Sequence, residues 1–556
     1  MNSNYFDAIN TIQAVCNRHG FDKEVIALDE INNRMQLFTV KVMFTGGFST
    51  GKSSAINIFL GDEILKENQT PETAIACELL YDEEEYIEAI KDGVSTRYEI
   101  YDSSEISPRE YDYVIRHINN ERIKSLDGIT IVDMPGFNSG IEAHNKAILR
   151  YAGMGNAYIL TIDCEDGEIK ESISEFLNEI KNYDNNIAIL VTKADKKDSS
   201  ALAEIINNIA ESASNIFFND IKVEPVSKFI DGSDAKILKL LKSFDISDIH
   251  KQVFSPAIYE IGTRCIFGLS SMKKALHLDD TGLSEEIKIR TDNKTRLEKQ
   301  FEEEKRRLSA KMKNSVRPEI ISDVSNALYA QSDSLATALL AGGANFSTMV
   351  NNILRSVLIS STRKYVEQSF DEFVSNLDVS MFSATENYGD ININPDEINS
   401  KLSAAKNVVS TIVEDSQSFG GVYKAISTAL AVTTSVVAPW LELILIFLPD
   451  IIKAFSAFNE RKAKEEANAR AKTKVTSEII PQIISKLEPE IDKSLDEMQS
   501  QMIDDVAESF RQRIDFEIEC LNATKEKLNA SKHEYDEKIQ EIDSSIATIT
   551  KAINSL

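Results

Sequence analysis

Basic charge is in short supply in this chain: 61 lysines and arginines face 89 aspartates and glutamates, for a formal net charge of −28 over 556 residues. No domain-wide cationic surface is left to displace counterions from a phosphodiester backbone, which excludes nucleic acid as a general partner. Cysteine is scarce as well. The five residues (Cys16, Cys77, Cys164, Cys265, Cys520) are odd in number and scattered, with no C-x-x-C and no histidine at metal-ligand spacing. That excludes a disulfide framework and a thiolate zinc site, and fits a reducing cytoplasm. The opening stretch MNSNYFDAINTIQ has neither a basic n-region nor an unbroken apolar core, so no secretory signal is expected. A clean run of the roughly 20 apolar residues that a spanning helix needs is also missing. Tryptophan occurs once, at Trp440.

What is present is an ordinary folded composition, 42% apolar and 27% charged, in a chain long enough for two to four domains. The most informative stretch is Val42 to Ser54, VMFTGGFSTGKSS. An apolar strand end runs into a glycine-rich turn and then a helix start, and Gly46, Gly51, Lys52 and Ser53 meet the G-x-x-x-x-G-K-S spacing of a phosphate-binding loop. Glycines let successive N–H groups point at phosphate oxygens, and the helix adds its positive dipole end. Gly46, Gly47, Phe48, Ser49, Thr50, Gly51, Lys52, Ser53 and Ser54 are therefore expected to wrap the phosphates. Lys52 would reach the β- and γ-phosphates and Ser53 would ligate Mg²⁺.

Two further stretches choose guanine over adenine. In ITIVDMPG a strand ends in D-x-P-G, so Asp133 can hold a Mg²⁺ water and the Gly136 N–H can approach the γ-phosphate. In the second, the strand Ile187–Val191 leads into Thr192-Lys193-Ala194-Asp195. The Asp195 carboxylate only accepts hydrogen bonds, which suits the N1–H and exocyclic amine of guanine. A switch threonine that meets Mg²⁺ is expected in NQTPETAIACELL, at Thr73 in preference to Thr70. Ser227 and Lys228, after the Ile221–Val226 run, form a short base-flanking match.

These motifs, in this order, resemble the dynamin-like large GTPases, and within them the bacterial members: GGFSTGKSS, PETA, DMPG and TKAD correspond, with some 80 residues between the first loop and DMPG. The resemblance implies GTP hydrolysis with Mg²⁺, homodimerisation through GTPase domains or pairing with a companion dynamin-like GTPase, and a peripheral, cytoplasmic association with a membrane. One residue departs from the family. Eukaryotic members carry a glutamine where this chain has Phe48, so no side chain there can orient the attacking water.

The expected fold is an α/β P-loop GTPase domain with a mostly parallel, doubly wound sheet, joined to a long all-α stalk with a hydrophobic tip. Residues 1–36 read as two helices packing on the stalk, and 37–245 as the GTPase domain with core strands at Leu37–Phe44, Ile129–Asp133, Ala157–Ile162, Ile187–Thr192 and Ile221–Val226. Residues 246–422 read as helical neck and stalk, 423–458 as a paddle, and 459–556 as returning helices. In the last of these, Tyr535, Ile539, Ile542, Ile546, Ile549, Ile553 and Leu556 form a heptad seam. The segment 384–399 has turn formers and reads as a loop, and Leu335–Val350, around Gly342-Gly343, reads as stalk interior or a hinge.

Residues 425–441 carry no charge but are rich in serine and threonine. A hairpin turning near Pro439 would present Val436, Val437, Trp440, Leu441, Leu443, Ile444, Ile446 and Phe447 to a lipid bilayer, with an indole at headgroup depth. Six basic against three acidic residues follow in 460–474, a local +3 suited to anionic lipid. The rival reading is a soluble GTP-controlled scaffold in which this hairpin is core and the partner is a protein. A coiled-coil ATPase ranks lower, since such chains place the coil between the phosphate loop and the aspartate motif.

Overall fold

The computed structural model describes residues 3–47, 49–66, 75–91, 93–99, 106, 110–136, 157–170, 173–174, 177, 186–376, 437, 440, 448, 464–526 and 532–556. Two helices come first, α1 (Ser3–His19) and α2 (Asp22–Leu37), separated at Gly20, whose φ of +76° suits a residue without a Cβ. The strand expected from Leu37 starts later: Leu37 closes α2 and is exposed, and β1 runs Val40–Gly46.

The nucleotide domain holds a nine-stranded sheet in the order β4-β3-β5-β2-β6-β1-β7-β8-β9. Its strands after β1 are β2 (Cys77–Tyr81), β3 (Tyr86–Lys91), β4 (Val94–Tyr98), β5 (Tyr113–Ile118), β6 (Ile129–Asp133), β7 (Ala157–Asp163), β8 (Ile187–Thr192) and β9 (Lys222–Pro225). β1 lies between β6 and β7, parallel to both, and β7, β8 and β9 continue in parallel. The other half is mixed, with β2 antiparallel to β6 and β3 antiparallel to both neighbours. β6, β1, β7 and β8 are almost wholly buried and mainly apolar, as parallel strands with helical layers must be. β1, β6 and β7 therefore deliver their carboxyl ends to one edge, where α/β sheets hold ligands.

From Ile246 the described chain is helical. Long helices at Ile246–Leu276, Asp280–Lys311, Gly343–Asn376, Ile480–Glu526 and Lys532–Asn554 pack side by side, joined by shorter ones. The heptad seam is buried at Ile542, Ile546, Ile549, Ile553 and Leu556, and it packs on the helix Ile246–Leu276 and on α1. Gly262 permits that approach: a Cβ there would lie 2.5 Å from Ile553 and 3.4 Å from Ile12 and Ile549. His19 on α1 shares a 2.9 Å hydrogen bond with Ser545. Leu335, Leu339, Phe346 and Val350 are buried on either side of the break at Gly342, as an interior stretch requires.

One expectation is corrected here. Val437 and Trp440, assigned to a lipid-facing tip, are fully buried with Leu448 in the helical core. The Trp440 indole N–H points at the Glu490 carbonyl (3.2 Å) and the Ser494 hydroxyl (3.1 Å) of the helix Ile480–Glu526. A buried indole needs such a partner, whereas one at headgroup depth would find it in water or lipid. Val436, Leu441, Leu443, Ile444, Ile446 and Phe447 lie outside the described residues, as does the loop 384–399. The basic run is partly neutralised as well, since Lys472 pairs with Asp333 at 2.7 Å and Lys474 with Glu478 at 3.5 Å. Among the described residues no helix is long and apolar enough to cross a membrane.

Candidate functional site

The phosphate loop leaves the carboxyl end of β1 and enters α3 (Lys52–Leu60) through Gly51, held at φ +86°. Gly46 is in contact with β7: a Cβ there would sit 2.7 Å from the Thr161 carbonyl oxygen. Threonines fasten the loop from below. Thr50 Oγ1 and Thr161 Oγ1 are 2.8 Å apart, and the Thr192 hydroxyl donates to the Thr50 carbonyl at 2.6 Å. Thr192 thus braces the loop.

Lys52 lies in the hollow of the loop, its ammonium donating to the carbonyls of Gly47 (2.9 Å) and Gly46 (3.3 Å). Burial pushes its pKa down to about 8, partly countered by the charge of Asp133. Asp133 ends β6 next to it. Burial raises its carboxyl to about 6 against the opposing pull of Lys52 and the Ser53 hydrogen bond. Ser53 Oγ donates to Asp133 Oδ2 at 2.8 Å, while Oδ1 is buried and without a partner among the described residues. A buried, unsatisfied carboxylate oxygen beside a serine hydroxyl is a hard-oxygen donor set, and it fits Mg²⁺. Ser54 is half-buried on α3 and Gly136 is buried just past β6, at the same edge. Phe48, Thr70 and Thr73 lie outside the described residues.

The other end of the cleft forms from β8 and the turn after β9. Lys193 sits at φ +52° and spans the gap, its ammonium reaching the Ser49 carbonyl (3.1 Å) and Asp163 Oδ2 (2.5 Å). Its ion pair, together with the Glu165 backbone N–H, holds Asp163 below the usual carboxylate range despite burial. Asp195 is exposed, and its Oδ1 accepts the Ser227 hydroxyl. Lys228 points its ammonium over the neighbouring Phe229 ring at 5.5 Å. The structure thus brings Lys52, Ser53 and Asp133 to one end and Lys193, Asp195 and Ser227 to the other, with Ser49 and Thr50 between.

Thr161 and Asp163 were not foreseen from the sequence, although the polar residues of AYILTID, in an otherwise apolar buried strand, mark them out.

The segment 42–195 matches the Dynamin family. No curated protein matches the chain. Among solved structures, a bacterial dynamin from an oligomerised pair aligns at 13% identity and TM-score 0.43, covering 100% of this chain and 82% of that one. An Era variant of Aquifex aeolicus bound to GDP and aluminium fluoride aligns at 14% identity and TM-score 0.25, covering 37% of this chain and 57% of that one. The elongation factor SelB of Methanococcus maripaludis aligns at 14% identity and TM-score 0.22, covering 37% and 35%. The chain carries a dynamin-type GTPase domain.

Proposed function

We propose that this GTPase binds Mg²⁺·GTP across the Lys52–Asp195 cleft, hydrolyses it to GDP and phosphate, and uses the cycle to rearrange its helical bundle against a lipid bilayer. The observation that carries the nucleotide half is the pair of buried, poorly compensated charges at Lys52 and Asp133. Each is held away from its ordinary pKa in a hollow lined by backbone groups, as sites awaiting a charged ligand are. Lys52 would follow the charge that develops on the γ-phosphate, and the Gly136 N–H would add a donor to it. Ser53 and Asp133, with Thr73 from the switch segment, would hold the Mg²⁺. When bound, the ion offsets charge on the β- and γ-phosphates. Phe48 offers no group to orient water, so backbone donors or a second GTPase domain, from another copy or a companion, would supply that.

Coupling has a physical route in β1. One end of the strand is the phosphate loop. Beside the other, Phe38 packs edge-on against His250 (4.9 Å between centroids) and Phe254 (5.2 Å), both on the first long helix of the bundle. A displacement of the loop would therefore reach the bundle through a seven-residue strand.

What supports the bilayer is the resemblance of the sequence motifs to dynamin-like GTPases. The burial of Trp440 favours the second reading, a GTP-controlled scaffold whose hairpin is core and whose partner is a protein. Turnover of GTP with and without anionic liposomes, with sedimentation scored on the same samples, separates the two. Co-sedimentation with faster turnover is expected for the membrane reading. Neither effect, with GTP still consumed, would leave the scaffold.

A further inference from the structure

We propose that Phe229 stacks on the guanine ring and forms the aromatic wall of the base pocket. This rests on the guanine-nucleotide reading above and adds to it a residue that no spacing rule marks.

Phe229 is 72% exposed, a cost for a phenyl ring on a turn that is otherwise fixed by hydrogen bonds. Its place explains the exposure. The Phe229 N–H donates to Ser227 Oγ at 3.1 Å, and that same hydroxyl donates to Asp195 Oδ1. The Phe229 backbone and the carboxylate expected to read the base are thus bonded to one atom. The turn behind them is fixed too: Ser227 N–H donates to Ser233 Oγ at 3.1 Å, and Ser233 Oγ donates back to the Ser227 carbonyl at 2.9 Å. Both serines are buried. From the Asp195 turn, Lys193 reaches toward the phosphate loop, its ammonium tied at Ser49 and Asp163.

A flat purine whose edge meets Asp195 would lie beside the turn that carries Phe229, since Ser227 Oγ bonds both the Asp195 carboxylate and the Phe229 backbone N–H. Lys228 lies over the phenyl ring, its ammonium 5.5 Å from the centroid, and the ring's wide exposure leaves a face open to a second π-system. Covering the ring with a base removes apolar surface from water and gains stacking at once. A protein partner could also cover an exposed phenylalanine, but would not account for its backbone being held to the hydroxyl that holds Asp195.

The test is calorimetric titration of the full chain with GDP and Mg²⁺, alongside displacement by inorganic tripolyphosphate, which has phosphates and no base. Phe229→Ala is expected to weaken GDP by about tenfold or more, as loss of one base–aromatic stack does. Phe229→Trp should retain affinity, and tripolyphosphate should bind all three proteins alike. Equal GDP affinity in the alanine variant overturns the proposal, including the case in which only the dependence of GTP turnover on protein concentration changes, which would mark Phe229 as a protein contact. Equal losses for GDP and tripolyphosphate overturn it as well, because the effect would then not belong to the base. Should the unaltered, folded chain take no GDP, the nucleotide reading itself fails and this inference falls with it.

Discussion

Ser53 and Asp133 stand 80 residues apart in sequence, yet the serine hydroxyl donates to one oxygen of the carboxylate at 2.8 Å while the other oxygen is buried without a partner among the described residues. Such an oxygen is costly unless something binds it. Ser53→Ala is expected to lower nucleotide affinity about ten- to a hundredfold in magnesium buffer, the scale typical of disturbed metal sites. The unaltered chain in EDTA should fall to the same level, and adding EDTA to the variant should change little more. Fluorescent-GDP titration checks all three.

The same site sets a pH window. Asp133, raised to about 6, is protonated in the free site below that pH and must lose its proton to accept Mg²⁺. Lys52, lowered to about 8, loses its proton above that pH and must regain it to hold phosphate. Affinity for Mg²⁺·GDP should therefore be highest between the two and fall on both sides, by about tenfold per pH unit at the limits. Lys52→Ala should abolish tight binding and with it the window. A titration series from pH 5 to 9.5 measures this; a flat profile would contradict it.

Gly46→Ala should disable the loop without unfolding the protein. The added methyl would press on the Thr161 carbonyl at 2.7 Å, and that oxygen belongs to a central strand that cannot withdraw. The expected result is nucleotide affinity reduced beyond detection, with a circular-dichroism spectrum like that of the parent.

How much of this was legible in the sequence varies from element to element. Ile129–Asp133 and Ile187–Thr192 were read to the residue, because both are apolar on both faces and end in a chemically marked turn. The strands β3, β4 and β5 gave no such signal. β5 alternates and β4 is almost wholly exposed, so neither stands out by hydrophobicity. In the candidate site, spacing motifs singled out Lys52, Ser53, Asp133 and Asp195, because a phosphate and a guanine ligand would constrain them directly. Thr161 acts through hydrogen bonds to Thr50 and to the Thr45 carbonyl, tertiary contacts that no linear pattern encodes. Trp440 was misread for a related reason: an uncharged amphipathic stretch looks the same whether its partner is lipid or the helix Ile480–Glu526.

Trp440 gives that correction a test. Trp440→Ala should destabilise the bundle by about 3–5 kcal/mol, as a buried aromatic truncated to alanine does. Trp440→Phe, which leaves the indole partners Glu490 and Ser494 unmatched, should cost about 1–3 kcal/mol. Urea unfolding measures both. Because the chain has one tryptophan, its emission reports this site alone. Without nucleotide it should be blue-shifted and unmoved by lipid vesicles.

The central claim, that Asp195 reads guanine for hydrolysis at Lys52, is tested most directly by the nucleotide preference of Asp195→Asn. Xanthine carries a carbonyl where guanine carries its exocyclic amine, so an amide donor suits it and a carboxylate does not. The account predicts that the unaltered chain turns over GTP and not ATP. The variant should lose GTP turnover by about a hundredfold or more, as polar mismatches in a reading pocket do, and gain XTP turnover. Unchanged GTP turnover in the variant, or equal use of ATP by the parent, would contradict it.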